Sequence, residues 1–524
     1  MAAMNAAAAF LETFERAGDA LAFVEHHGQE TSYRQLLRQV RALAAVLSRR
    51  GLAPGDRVVL QLPSGPVLSA GILAVIALGG VPVLADPGLG DAVYTGRIEA
   101  AAPRFVLVHP MVEAVGRLPA VRRQLEARRD LSLPPAVGGP GVKPIRLARS
   151  WLRLGARTPL GGRYVTPVPV APEADGVIVF TGGTTKEPKG VRLSHGALSA
   201  YMAGVARVAE DVPFERFLAD TPQQALYGLS MGKTVLTTPA RKPRRAPFSL
   251  ALLRRGAAHA YFGAPWIWQE MMASARGERL PAGVRAVFLG GAPVTRPFLE
   301  RLHAFLPADA VVRVLYGLTE AGPVASVDAA EKLAWPTADG DLVGRPLPGV
   351  ELALAEPDER GVGEVLVRSP SLFGGYLGAP ARPPGDALRT GDLGRLVLDA
   401  VGEPRLALVG RVKDMIIRNS VNIYPPSFEP TIEALTAPDG RPWVRRAAMV
   451  GAWNDARADE DVVLCVEPEP GFDEAAFGAA VAEAVGADAA PDRTLVVEAW
   501  PVVGRLNKVD KGALRRLAEG GTGA

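Results

Sequence analysis

The run Thr181-Gly182-Gly183-Thr184-Thr185-Lys186-Glu187-Pro188-Lys189-Gly190 directly follows the apolar stretch Gly176-Val177-Ile178-Val179-Phe180. That stretch has the length of one buried strand. Behind the run come Val191-Arg192-Leu193 and then Ser194-His195-Gly196, where a helix can start. A glycine- and threonine-rich loop at the end of a strand is a phosphate cradle. Its glycines let the backbone approach an anion, its N–H groups and hydroxyls donate, and Lys189 adds positive charge. It is not the nucleotide-triphosphatase loop GxxxxGKS/T, which needs Gly where Pro188 stands and Ser or Thr where Gly190 stands.

Outward from this loop, the chain alternates helical patterns with short apolar strands. Arg57–Gln61, Phe105–Val108, Ala286–Leu289 and Val311–Leu315 read as strands, and Tyr33–Arg49 and Val121–Arg129 as helices. This alternation predicts an α/β architecture. Leu133–Pro172, rich in Pro and Gly, reads as a long surface excursion. From Leu342 the pattern changes to short strands and turns, Gly363–Arg368, Leu393–Leu398 and Arg405–Val409, which predicts a β-rich subdomain. After Gly410 a smaller α/β unit runs to the end. The expected division is therefore 1–410 and 411–524.

Length and composition bound the function. A chain of 524 residues has room for two or more domains and a large core. A net charge of +4 is too small over this length to argue for nucleic acid. The basic clusters Arg241–Arg245 and Arg122–Arg129 read as solvated loops and helix faces. The single cysteine, Cys465, lies in the apolar run Val462–Val466 and reads as core packing in a reducing, cytoplasmic setting. Met1–Phe10 lacks the basic n-region of a signal peptide. Pro66–Ala85 is uncharged and long enough to span a membrane, but Gly79-Gly80 and Pro82 interrupt it. It reads as a buried helix up to Leu78 followed by a core strand Val81–Ala85, so no transmembrane segment is expected.

The loop 181–190 resembles the signature of the acyl-adenylate-forming enzymes, S/T-S/G-G-S/T-S/T-G-x-P-K-G. Six further segments match that family in its order: Leu289-Gly290-Gly291-Ala292-Pro293, Tyr316-Gly317-Leu318-Thr319-Glu320, Thr390-Gly391-Asp392, Gly410-Arg411-Val412-Lys413-Asp414, Asn422-Ile423-Tyr424-Pro425 and Gly504 to Lys511. The resemblance implies a large N-terminal domain of stacked mixed sheets with helices and a β-rich subdomain, plus a small mobile C-terminal α+β domain. It also implies roles. Thr181, Gly183, Thr184, Thr185 and Lys189 would hold the β- and γ-phosphates of ATP, and Gly291 and Ala292 would lie against the adenine. Tyr316, with Gly317, would pack on the adenine ring, Thr319 would hold the α-phosphate, and Glu320 would bind Mg2+. Asp392 would take both ribose hydroxyls and Arg411 would touch ribose or phosphate. Lys413 would mark the hinge, and Lys508 would bridge the acyl carboxylate and the α-phosphate, with Lys511 as its rival.

Those residues suit adenylation, an in-line attack of a carboxylate on the α-phosphorus that expels pyrophosphate. Catalysis is then positioning and charge neutralisation. No Ser-His-Asp set is needed, and His195 reads as a structural helix-start histidine. The implied substrates are ATP and a small-molecule carboxylic acid, and the implied second-step acceptor is CoA. Trp266 and Tyr227 are the candidate acyl-pocket residues, and the apolar Ala264-Pro265-Trp266-Ile267-Trp268 favours a fatty or other apolar acid.

Three departures from the family bear on the acceptor. Lys186 replaces the usual loop Gly. Gln224 and Ala225 stand where an aromatic-His pair is common. Asn419-Ser420 replaces the glycine pair that helps line the pantetheine tunnel in CoA ligases. With Asp86-Pro87-Gly88 and Val463–Glu467, these features also resemble the olefin β-lactone synthetases. That opens an alternative in which an internal hydroxyl, a carrier protein or an amine takes the acyl group in place of CoA. The sequence leaves the oligomeric state open, a homodimer included.

Overall fold

The computed structural model describes residues 3–86, 90–110, 112–113, 142–147, 166–180, 189–239, 242–336, 340–399, 402–419, 421–455, 457, 459–486, 489–503 and 508–520. Two large sheets face each other. The seven-stranded sheet runs, in spatial order, 375–376, 190–194, 175–180, 81–84, 57–61, 105–108 and 143–146. Its five strands from Asp175–Phe180 to Lys143–Arg146 are parallel to one another, and Gly190–Ser194 turns back antiparallel on Asp175–Phe180. The thirteen-stranded sheet has a parallel half, made of Leu21–Val24, Thr234–Thr237, Arg216–Ala219, Ala260–Gly263, Ala286–Leu289 and Val311–Leu318. Antiparallel strands continue it without a break into the β-rich region. The expected β-rich subdomain is thus hydrogen-bonded to the large sheet. At the join, Ser326 pairs with Arg345, and Gly344 (φ +92°) is required because a Cβ there would collide with the Ser326 carbonyl.

The main core fills the space between the sheets. Val58, Phe105, Leu107 and Val177 come from one side, and Phe217, Val235 and Phe288 from the other. The helix Tyr33–Arg49 closes it because Tyr33, Leu36, Leu37, Val40, Leu43 and Leu47 repeat at helical spacing and are all buried. Its start is fixed by a reciprocal cap. Ser32 Oγ accepts from Gln35 N at 3.2 Å, and Gln35 Oε1 accepts from Ser32 N at 2.8 Å. The helix Pro66–Ala77 is buried along all its residues. No described helix is long and apolar enough to cross a membrane. A second core covers the outer face of the parallel half, with Tyr261, Trp268, Val287 and Phe298.

Two described segments within 133–172, residues 142–147 and 166–172, are tied to the fold where the composition predicts a surface excursion. Lys143–Arg146 joins the seven-stranded sheet beside Phe105–Val108, and Val168 N donates to Ala77 O at 2.7 Å. Near the start of the chain, Asn5 Nδ2 donates to Ile76 O and to Val168 O, each at 2.9 Å, and Ala6 N donates to His195 Nδ1 at 3.1 Å. His195 is fully buried, and burial pushes its pKa down against the pull of Asp175. It has the structural role expected of it.

The smaller C-terminal domain is built on a three-stranded sheet of Val444–Asn454, Asp459–Pro468 and Arg493–Val496. Apolar clusters cover both faces, one around Ile432, Phe477 and Val481 and the other around Leu514. Cys465 sits in the middle strand, fully buried, and burial pushes its thiol up to about 12. It packs, as expected.

Candidate active site

Residues 181–188, and with them Thr181, Gly183, Thr184, Thr185 and Lys186, lie outside the described residues, but both flanks of the loop are placed. Phe180 ends its strand on one side. On the other, Ser194 caps the helix His195–Val208 by accepting from Ala197 N at 3.1 Å. The exit strand is held by the segment 373–377: Gly374 N donates to Arg192 O at 2.8 Å, and Leu377 N to Gly190 O at 2.7 Å. Lys189 Nζ stands 5.5 Å from the centre of the Tyr376 ring. The Tyr376 hydroxyl in turn donates to Glu320 Oε1 at 2.9 Å, while Phe373 N donates to Glu320 O at 2.8 Å. Burial, then the adjacent Glu320 carboxylate, raises the Tyr376 pKa and keeps the phenol protonated. Tyr376 therefore joins the lysine of the phosphate loop to the candidate metal carboxylate. Sequence reasoning missed it; the glycine pair Gly374-Gly375 before an aromatic residue was the available signal.

Asp392 is the second centre. It lies on the strand Leu388–Leu398, paired in register with Arg411. Tyr316 OH donates to its Oδ2 and Arg411 Nε to its Oδ1, both at 2.7 Å. Thr390 Oγ1 accepts from Asp392 N at 3.1 Å and donates to Val365 O at 2.9 Å, which fixes the backbone beneath. Each carboxylate oxygen keeps capacity for another donor. Burial, then the Asp392 charge, raises the Tyr316 pKa. The sequence reading set Tyr316 on the adenine ring. Its ring is buried and its hydroxyl is committed to Asp392, so three expected site residues meet here: Tyr316, Asp392 and Arg411. Gly317 follows at a bulge, where a Cβ would run into the Gly322 carbonyl. Thr319 and Glu320 occupy the turn that this bulge starts, closed by Ala321 N donating to Leu318 O at 3.1 Å.

Gly291 and Ala292 form the turn after the buried strand Ala286–Leu289. Gly291 is exposed, while a Cβ on Gly290 would sit 3.3 Å from the Phe262 ring. The candidate acyl residues do not share a wall. Tyr227 belongs to the core between the sheets, and Trp266 packs against the core on the opposite face. The departure at Gln224 has a structural explanation. Its Oε1 accepts from Asp220 N (2.7 Å) and Thr221 N (3.2 Å), and its Nε2 donates to Phe262 O (3.0 Å), so it caps the helix Pro222–Ser230.

At the domain junction, Lys413 is exposed in the short turn Val412–Asp414. Beyond it the Asn422–Pro425 segment docks on the large domain. Tyr424 OH donates to Asp358 Oδ2 at 3.0 Å, Arg360 lies 5.1 Å from the Tyr424 ring centre, and Arg360 Nη2 donates to Asn422 O at 2.9 Å. Lys508 opens the two-residue strand Lys508–Val509, its backbone paired with Val503. Lys511, its rival, is already committed: its Nζ donates to Glu429 Oε1 at 2.5 Å and to Met449 O at 3.4 Å.

A phosphate-type loop at the end of a parallel strand, a carboxylate turn tied to its lysine, and an aspartate held at a domain junction define a two-domain nucleotide-dependent ligase architecture. The chain matches the AMP-binding enzyme family over residues 10–377 and belongs to it. It is an acyl-adenylate-forming ligase. Among its relatives, an olefin β-lactone synthetase of Xanthomonas campestris is 26% identical over 85% of this chain and 82% of that protein. A feruloyl-CoA synthase of Amycolatopsis is 28% identical over 84% and 87%. The solved structure of the amide bond synthetase McbA from Marinactinospora thermotolerans is 27% identical, with a TM-score of 0.75 over 98% of this chain and 99% of that one.

Proposed function

We propose that the protein uses ATP and Mg2+ to adenylate a carboxylic acid with an apolar acyl group and then passes that group to CoA. The observation that carries this reading is the Lys189–Tyr376–Glu320 link, which brings the flank of the phosphate loop against the carboxylate turn. In the first step a carboxylate oxygen of the acid attacks the α-phosphorus. The bond to the bridging oxygen breaks, and pyrophosphate leaves with the electron pair. Thr181, Gly183, Thr184, Thr185 and Lys189 hold the departing phosphates, Thr319 the α-phosphate and Asp392 the ribose, with Gly291 and Ala292 beside the base. Mg2+ on Glu320 would offset the phosphate charge. One carboxylate fits that ion, which fills its shell with phosphate oxygens and water. Among the described residues no cluster of three His, Cys, Asp or Glu could cage a metal independently.

Lys508 supplies the cation that bridges the two reacting groups. The commitment of Lys511 to Glu429 supports this choice. Lys508 belongs to the domain 411–524 and the remaining groups to 1–410, so closure about Lys413 precedes the chemistry. A reducing, cytoplasmic location is part of the same proposal, in keeping with the lone, buried thiol of Cys465.

A second reading changes only the acceptor. Asn419 adopts φ +52° and its N–H donates to Asp459 Oδ2 at 2.6 Å. The backbone keeps a glycine-like conformation while a side chain is added where CoA ligases have none. That favours an internal hydroxyl, a carrier protein or an amine, as do the names of the β-lactone and amide bond synthetases. Purified protein incubated with ATP, Mg2+ and fatty, aryl and β-hydroxy acids, with and without CoA, separates the two by mass spectrometry. An acyl-CoA mass with CoA-dependent AMP release supports the first reading. A lactone or trapped acyl-AMP without CoA supports the second.

A further inference from the structure

Between the turn at Gly290 and the turn at Gly322 lies a polar trio of two buried tyrosines and a glutamine. Tyr201, on the helix His195–Val208, and Tyr227, on the helix Pro222–Ser230, bring their hydroxyls within 2.9 Å. Gln223 Nε2 donates to both, to Tyr227 at 2.6 Å and to Tyr201 at 3.0 Å. The two rings are each only 8% exposed, whereas Gln223 is exposed at the start of its helix. Gln223 thus links the two buried hydroxyls to the surface. Burial raises both phenol pKa values, so each keeps its proton.

The surroundings place this trio in the site. A Cβ on Gly322, two residues after Glu320, would lie 2.7 Å from the Tyr201 ring. The Tyr227 ring meets Phe262 edge-on at 6.3 Å, and Phe262 backs Gly290, beside the Gly291-Ala292 turn. These groups all cluster about the carboxyl ends of the parallel strands Arg216–Ala219, Ala260–Gly263, Ala286–Leu289 and Val311–Leu318, the edge at which open α/β sheets bind ligands.

Counting protons shows what the trio lacks. Two amide hydrogens go to the two hydroxyl oxygens, and one phenol proton makes the Tyr–Tyr bond. The second phenol proton has no acceptor within the trio. With the amide reversed, one phenol donates to the other, the second donates to the carbonyl, and the NH2 group turns outward with its own hydrogens to give. Both arrangements end with a donor that an incoming oxygen can meet and that an all-alkyl chain cannot.

We propose that Tyr201, Gln223 and Tyr227 recognise an oxygen on the otherwise apolar acyl chain, so that the preferred acid carries one hydroxyl or keto group in addition to its carboxylate. This rests on the adenylate-forming reading. The test is ATP–pyrophosphate exchange with chain-matched acids, one plain, one hydroxy and one keto, for wild type, Gln223→Leu and Tyr227→Phe. Wild type is expected to favour an oxygenated acid by about tenfold or more in kcat/KM. Both variants should bring that ratio to within about threefold of unity. The ratio is internal to each variant, so a general loss of stability does not imitate the result. A wild-type ratio at or below one, or a ratio retained in both variants, overturns the proposal while leaving adenylation intact. No exchange with any acid overturns the adenylation reading itself, and the proposal with it.

Discussion

Tyr376 and Asp392 show how single side chains carry this site. If the phenol positions Glu320 for the ion, Tyr376→Phe lowers pyrophosphate exchange on the order of tenfold and raises the Mg2+ concentration needed for half-maximal rate. A Mg2+ titration checks this, and an unmoved curve would reduce Tyr376 to packing. The two lysines separate in the same assay. Lys508→Ala is expected to cut exchange by about a hundredfold or more. Lys511→Ala should retain exchange but melt earlier, because Glu429 loses its cation. The reverse outcome exchanges their roles. A third residue acts on stability. Glu25 lies beside Gly65, and burial pushes its carboxyl up to about 7 from 4.5. The folded state then holds a proton that the unfolded chain gives up earlier, so stability falls as pH climbs through that window. Thermal melts at pH 5 and pH 8 should show the loss in wild type and a smaller one in Glu25→Gln.

At the scale of elements, the readable ones are those whose reasons are local. Arg57–Gln61, Phe105–Val108 and Ala286–Leu289 are bounded in the structure as they were in the sequence, because each is an apolar run between turn formers. Tyr33–Arg49 matches for its periodicity and cap. Lys143–Arg146 escaped because only Ile145 of its four residues is apolar and buried, as suits an edge strand. Val311–Leu318 runs past Leu315 because Tyr316-Gly317 is a bulge within a ladder and not its end. The site was legible as motifs; the partners of those motifs were not. Tyr376 reaches Glu320 across 56 residues, and Tyr201 reaches Tyr227 across 26, contacts that only the tertiary fold specifies. Gln224 illustrates the limit from the other side: its family position suggests chemistry, while its bonds make it a helix cap. Gln224→Ala should therefore cost about 1 kcal/mol in denaturant unfolding, as the loss of a helix cap does.

At the scale of the molecule, the small domain touches the large one through the Asn422–Tyr424 segment and the 358–361 turn. Tyr424→Phe removes the hydrogen bond to Asp358 from that contact. Limited proteolysis should then cut faster within 411–415 while the melting of the large domain stays in place; equal cleavage rates would mean the contact does not restrain the junction. The beginning of the chain is restrained far more firmly. Asn5 and Ala6 are stitched to the backbone at Ile76 and Val168 and to His195, at the head of the helix behind the phosphate loop. For recombinant work this makes the start of the chain a sensitive attachment point. An affinity handle fused directly ahead of residue 5, or a clone trimmed by a few codons, would disturb the anchor at the head of the helix His195–Val208, and a spacer would be the safer design.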